Sequence, residues 1–249
     1  MMPLEDPPNA SRKDWFVTTT HWGLVLSAAG AASPAADAAL NELCRMYWYP
    51  LYAYVRRRGY SPEDAQDLTQ GFFERLLARN FLENLTPQKG KFRCFLLAAM
   101  NHFLADEWDK ARAVKRGGGK RPISVEEVGL EDRFLREPAD GQSPEKLFDR
   151  RWALSVLDEA QKRLEAEYTR LRKSDQYQRL KIYAGGDEDA PTYAAAAAEL
   201  KMSEASVRAA VFQLRRRYRQ LAREVVAQTV PTASEIDREL ESLIEALRA

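Results

Sequence analysis

The chain has 249 residues, 45% hydrophobic, 30% charged and 10% aromatic, which excludes a disordered polar chain and suits one or two globular domains with real cores. Its 38 basic and 37 acidic residues nearly cancel, so whole-chain charge draws it toward neither a polyanion nor a membrane surface. Two cysteines, Cys44 and Cys94, and two isolated histidines, His21 and His102, offer no metal-type spacing and no disulfide scaffold.

The opening MMPLEDPPN lacks the basic start and apolar core of a secretory signal, and the run WGLVLSAAGAA is too short to span a bilayer. A cytoplasmic, all-α protein is therefore expected, since strand patterns are almost absent and helical periodicity runs nearly throughout. A first helix is predicted over about 34–58, with Leu40, Leu43, Tyr47, Leu51, Tyr54 and Val55 on one side and Pro50 inside it. Gly59 ends it. SPED then opens a second helix, with Ser61 as cap, Pro62 at the first helical position and Asp64 completing a capping box. Its apolar face is Ala65, Leu68, Phe72, Phe73, Leu76 and Leu77. After a polar loop with Pro87 and Gly90, a third helix is expected from about Lys91 to Lys115, with Phe92, Phe95, Leu96, Ala99, Phe103 and Trp108 as its apolar side. Cys44 and Cys94 each fall on an apolar helix side and are expected to be buried thiols.

KRGGGKRP stops the periodicity, because three consecutive glycines hold a helix poorly. Residues 117–142 are read as a linker. A second Ser-Pro signal at Ser143 opens a long helix through Leu147, Leu154, Leu157, Leu164, Tyr168 and Leu171, and a short one follows over about 177–183. Then comes TYAAAAAELKMSEASVRAAVFQLRRRYRQLAREVV, with the grammar of a helix-turn-helix. Tyr193 to Leu200 is a short helix whose alanines permit close approach. Lys201-Met202-Ser203 is the turn, and Ser203 caps the next helix, whose apolar stripe is Val207, Val211 and Leu214. Pro231 ends that helix. TASE opens a final amphipathic one, with Ile236, Leu240, Leu243, Ile244 and Leu247 on one face, expected to pack on its own domain.

Charge is concentrated although it cancels overall. From Lys201 to Glu224 seven basic residues face two acidic ones, a local balance of +5, and from Glu107 to Arg121 six face two, or +4. Two basic patches on a neutral chain point to two places that meet a polyanion. In a helix-turn-helix the second helix enters the major groove N-terminus first, so residues near its start reach base edges and basic residues beyond hold phosphates. The second predicted helix presents Asp67, Gln70 and Glu74 as a polar strip beside a Phe-Phe pair, read either as a solvated side or as a docking surface for a basic partner.

These segments carry a resemblance. DAQDLTQGFF resembles the region of bacterial sigma factors that docks on the clamp coiled coil of RNA polymerase. FRCFLLAAMNHFLADEWDKARAVKR is similar to the adjoining helix that melts and reads the minus-ten promoter element. TYAAAAAELKMSEASVRAAVFQLRRR resembles the sigma helix-turn-helix that reads the minus-thirty-five element. Order and separation resemble the two-domain extracytoplasmic-function group of the sigma-70 family, over roughly 15–226.

The resemblance implies a region-2-like helical domain over 15–116, a linker over 117–142, a region-4-like domain over 143–230 and an added amphipathic helix over 231–249. It implies polymerase contacts at Asp64, Asp67, Leu68, Gln70 and Phe73. Minus-ten contacts fall at Lys89, Lys91, Phe92, Arg93, Asn101, Arg112, Lys115 and Arg116, where melted DNA offers unpaired bases to a basic groove. Minus-thirty-five contacts fall at Ser206, Arg208, Ala209, Gln213, Arg215 and Arg216. The implied partners are core RNA polymerase, at its clamp coiled coil and flap, and promoter DNA, with an anti-sigma factor or a kinase as candidate regulators. The chain departs from the family in having Cys94 or Phe95 where a tryptophan is common, Ala210 and Gln213 at often basic positions, and Lys201 where the turn often has glycine.

The function expected is a sigma factor that directs promoter-specific initiation. The alternative is a stand-alone helix-turn-helix regulator with an N-terminal ligand or dimerisation domain, which leaves DAQDLTQGFF without a role. Catalysis has no support, since no glycine-rich phosphate loop, metal cluster or histidine–nucleophile pairing is visible, and no cofactor or metal is expected.

Overall fold

Four of the helices begin at a Ser or Thr whose side chain caps them: Ser61, Ser143, Thr192 and Ser203. The computed structural model describes residues 22, 34–77, 91–114, 129–135, 142–185 and 190–248, and they contain helices and no strand. Helix α1 spans Pro34–Arg57 and α2 spans Pro62–Leu77. The Asp64 amide donates to the Ser61 hydroxyl at 3.1 Å, as the SPED signal predicts. Helix α3 spans Phe92–Val114, α4 spans Leu130–Leu135 and α5 spans Pro144–Arg170, the last capped by Ser143. Helices α6 (Ser174–Leu180), α7 (Tyr193–Leu200), α8 (Glu204–Gln228) and α9 (Ile236–Arg248) follow.

The buried side chains form two apolar clusters. The first joins Leu40, Tyr47, Leu51 and Tyr54 of α1 to Phe72 and Phe73 of α2 and to Phe92, Leu96 and Met100 of α3. It is rich in ring contacts: Trp22 lies 4.8 Å from Phe92 and stacks on Phe95 at 5.2 Å, and Tyr47 meets Phe92 edge-on at 5.1 Å. The second joins Leu164, Tyr177, Leu180 and Tyr183 to Ala196 and Ala197 of α7 and to Val207, Val211 and Leu214 of α8.

Helix α5 belongs to both clusters. Leu147, Phe148, Trp152, Ala153 and Val156 lie in the first, and Ala160 and Leu164 in the second. A 27-residue helix is a rod of about 40 Å, long enough to serve two cores in series. The sequence reading started the second unit at residue 143. Residue 143 is the cap of α5, and the first half of this helix, Leu147 to Val156, lies in the N-terminal cluster.

Three further expectations change. The predicted linker contains α4, which is fastened to α1: Arg56 holds Glu131 at 2.6 Å, Tyr52 donates to Glu131 at 2.7 Å, and Arg133 lies 3.8 Å from the centre of the Tyr49 ring. Short-range charge and aromatic contacts pin this segment where apolar periodicity was weak. Cys44 is buried, and burial pushes its thiol up to about 12, but Cys94 is exposed. Trp108 is 55% exposed, one turn beyond Leu104, the last residue of α3 in the first cluster.

Helix α9 differs most from expectation. It packs on α5 and α8, Leu243 is buried within the first cluster, and Glu239 reaches the start of α3. The helix therefore crosses to the N-terminal half rather than packing on the C-terminal one alone. Among its predicted apolar face, Ile236, Leu240 and Leu247 are partly buried and Ile244 is 47% exposed.

Candidate nucleic-acid interface

Four local devices build α7 and its turn into α8. Thr192 caps α7, its hydroxyl accepting from the Ala195 amide at 3.3 Å. Lys201 ends α7 in the left-handed region, at φ 53 and ψ 42. The Met202 amide then donates back to the Ala197 carbonyl at 3.0 Å. Ser203 caps α8, accepting from the Ser206 amide at 3.2 Å. Small Ala196 and Ala197 let α7 approach Val207, Val211 and Leu214 of α8. These contacts fix the start of α8 outward.

Along the outward face of α8, Ser206, Arg208, Ala209, Phe212, Gln213, Arg216 and Arg219 are exposed. Positions 208, 209, 212, 216 and 219 recur at three- and four-residue steps and so share one side of the helix. Arg208 is held by Glu204 at 2.5 Å and lies over the Tyr193 ring at 5.6 Å, which orients its guanidinium near the helix N-terminus.

The arginine cluster divides by role. Arg215 points inward, donating to the Tyr183 carbonyl at 2.7 Å, so it ties α8 to the short helical turn after α6. Arg217 pairs with Glu167 of α5 at 2.5 Å and with Glu224 at 3.1 Å. That pairing raises the Arg217 pKa and holds the Glu167 carboxyl below its ordinary value. Arg223 pairs with Asp237 of α9. Arg216 and Arg219 stand out into solvent. Phe212, 64% exposed amid these arginines, was absent from the residues expected from sequence, as was Arg219. Helical phase relative to Ala209 and Arg216 marks both, whereas adjacency in the chain favoured Arg215.

The N-terminal candidates are distributed differently. On α2, Asp64, Asp67 and Glu74 are exposed and Leu68 is partly so. Gln70 is 8% exposed and donates to Glu74 at 2.9 Å. Phe73 is 4% exposed and stacks on Trp48 at 5.2 Å, so it supports the helix from beneath. Asp67, Leu68 and Glu74 line one side of an open groove, with Phe103, Glu107 and Lys110 of α3 on the other.

At the start of α3, Phe92 is fully buried in the first cluster. Lys91 and Arg93 flank it and both contact Glu239, at 2.5 and 2.7 Å. Arg93 is also paired with Asp149 at 2.5 Å and lies 4.7 Å from the Trp152 ring centre. Two carboxylates, Glu239 and Asp149, keep the Arg93 pKa raised despite its burial. Asn101 accepts from the Tyr54 hydroxyl at 2.7 Å and from Arg58. With Arg58, Tyr60, Leu104 and Trp108 it lines a shallow cleft on α3. Arg112 lies in the last turn of α3, and Lys89, Lys115 and Arg116 lie outside the described residues.

Among the described residues no group of His, Cys, Asp or Glu has a metal-holding arrangement, and no helix is long and apolar enough to cross a membrane. Compared with protein-family models, curated proteins and solved structures, the chain matches none.

Proposed function

We propose that this protein is a sigma factor of the extracytoplasmic-function type, which binds core RNA polymerase and directs it to promoters. The observation that carries the reading is the outward face of α8. A capped helix leads with Ser206 and Arg208, continues with Ala209, Phe212 and Gln213, and ends in exposed Arg216 and Arg219. Short polar and aromatic groups near the start suit base edges, and arginines beyond suit backbone phosphates. Together they make the chemistry of a duplex reader.

The acidic strip of Asp64, Asp67 and Glu74 on α2 favours the sigma reading over a stand-alone regulator. It offers a basic partner protein a surface that DNA would avoid. In this reading Asp67 and Leu68 contact the polymerase clamp, while Gln70 and Phe73 hold that surface in shape. Asn101 and the cleft beside it meet the melted minus-ten strand.

The test is transcription in vitro. Core polymerase supplied with this protein should start at discrete sites on genomic DNA fragments where core alone does not. Transcripts identical with and without the protein would refute the reading. Sequence-selective binding to duplex DNA in the same preparation would then identify the stand-alone regulator.

A further inference from the structure

The first turn of α9 pairs at once with cations at the start of α3 and with one arginine of α8. Glu239 is fully buried, with one carboxylate oxygen 2.5 Å from Lys91 Nζ and the other 2.7 Å from Arg93 Nε. Lys91 also donates to Ser242 Oγ at 3.3 Å, so both of its polar partners among the described residues lie on α9. In the same first turn of α9, two residues before Glu239, Asp237 pairs with Arg223, the last arginine of the α8 cluster. That pairing holds the Asp237 carboxyl below its ordinary value.

We infer that α9 is an autoinhibitory strap that stands in for nucleic-acid phosphate. Its carboxylates occupy cations that a DNA backbone would otherwise engage, and the helix must leave before the start of α3 can receive a strand. The inference rests on the promoter-binding reading and adds a closed resting state to it.

The chemistry is direct. A carboxylate and a phosphate compete for the same lysine and arginine donors, and a strand brings several phosphates where α9 brings two acids. The energetics permit exchange. A buried ion pair recovers its attraction only after desolvating both partners, so its net hold is small, and a phosphate that replaces the carboxylate restores the pairing. The apolar hold is mostly partial: Leu243 is buried, Ile236, Leu240 and Leu247 are partly buried against the first cluster, and Ile244 is 47% exposed. Thirteen residues is close to the length at which a helix without tertiary support is marginal, so undocking and melting of α9 form one low-lying opening.

The hinge is in place. Thr232, Ala233 and Ser234, between α8 and α9, are exposed. The end of α8 is anchored separately. Val225 and Val226 lie in the first cluster, and the Thr229 carbonyl accepts from the Phe92 amide at 3.0 Å. Departure of α9 therefore removes the hydrogen-bond and ion-pair partners of Lys91 and one side of Arg93's, while Asp149 and Trp152 stay beside Arg93.

The experiment uses a mixed-sequence single-stranded oligodeoxynucleotide as probe, with and without core RNA polymerase. Binding is compared among the full chain, a chain ending at Val230, and the full chain with Glu241→Gln and Glu245→Gln. The last variant removes two exposed acids from α9 without touching the strap contacts. The chain ending at Val230 should bind about tenfold tighter, the factor for a binding-competent form that is about one-tenth populated in the full chain. The Glu241→Gln, Glu245→Gln variant should bind as the full chain does. In amide hydrogen exchange on the full chain, saturating probe should strip protection from 236–248 and leave 207–226 protected.

Equal affinities of a folded truncated chain and the full chain would overturn the strap. So would an equal gain from the Glu241→Gln, Glu245→Gln variant. If the truncated chain does not fold, exchange in the full chain decides alone, and probe binding with 236–248 still protected overturns the proposal. If no form binds the probe even with polymerase present, the promoter-binding reading fails, and the strap with it.

Discussion

Arg93 and Glu239, 146 positions apart in sequence, form one ion pair that joins the start of α3 to α9. The carboxylate is wholly enclosed, and Lys91 shares it. Glu239→Ala would leave two poorly hydrated cations facing each other. The expected loss is about 2 kcal/mol, below the 3–5 kcal/mol of fully enclosed pairs, because Lys91 and Arg93 keep some solvent access and α9 can undock instead. Urea unfolding measures it, and an unchanged midpoint would show that the pair contributes nothing.

The α2 surface separates docking from support. Asp67 is exposed, so Asp67→Ala should change stability by less than about 0.5 kcal/mol while weakening association with core polymerase. Phe73 is buried against Trp48, so Phe73→Ala should cost about 3–5 kcal/mol. Thermal unfolding beside a polymerase pull-down distinguishes them. Normal binding by the Asp67 variant would remove this residue from the interface.

Three arginines of α8 should behave differently although they are close in sequence. Arg208→Ala should cost about 1–3 kcal/mol at one base position if its guanidinium reads an edge. Arg216→Ala should weaken binding evenly across sequences and lower the salt slope by about one. Arg215→Ala should lose about 1 kcal/mol of stability with its bond to the Tyr183 carbonyl, and leave specificity unchanged. Competition binding on a set of single-base variants separates the three patterns.

Lys201 sits at the left-handed end of α7, where the resembling family often has glycine. A lysine there bears backbone strain of about 1–2 kcal/mol, and glycine removes it while adding freedom to the unfolded chain. Lys201→Gly should therefore stabilise the protein by about 0.5–1 kcal/mol, seen as a higher midpoint in thermal unfolding. A lower midpoint would mean that the lysine side chain makes a stabilising contact.

Local signals were legible in the sequence and long-range ones were not. The caps at Ser61, Ser143 and Ser203 stand where Ser-Pro or turn patterns place them, because a cap is decided within four residues. The stripe Val207, Val211 and Leu214 is buried, as its spacing predicts. The helix α4 was missed because Glu131 and Arg133 earn their place through Arg56 and Tyr49, partners about 75 residues or more away that no local pattern reveals.

The same limit governs the candidate site. Periodicity separates the faces of α8, yet which arginine turns inward depends on the Tyr183 carbonyl supplied by another element. Lys91 and Arg93 stand among the DNA contacts the resemblance implies, and nothing near them in sequence shows that a carboxylate of α9 holds them. Charge counting within a window sees the basic residues of a patch and not the distant acid that neutralises them.

Association with core RNA polymerase is the central property to measure, by co-elution on a sizing column in the presence of a competing duplex DNA fragment. A stoichiometric complex of the protein with core, reduced by Asp67→Ala, is the predicted result. Elution of the protein with duplex DNA and apart from core would contradict it, and would assign the α8 surface to a regulator that acts without polymerase.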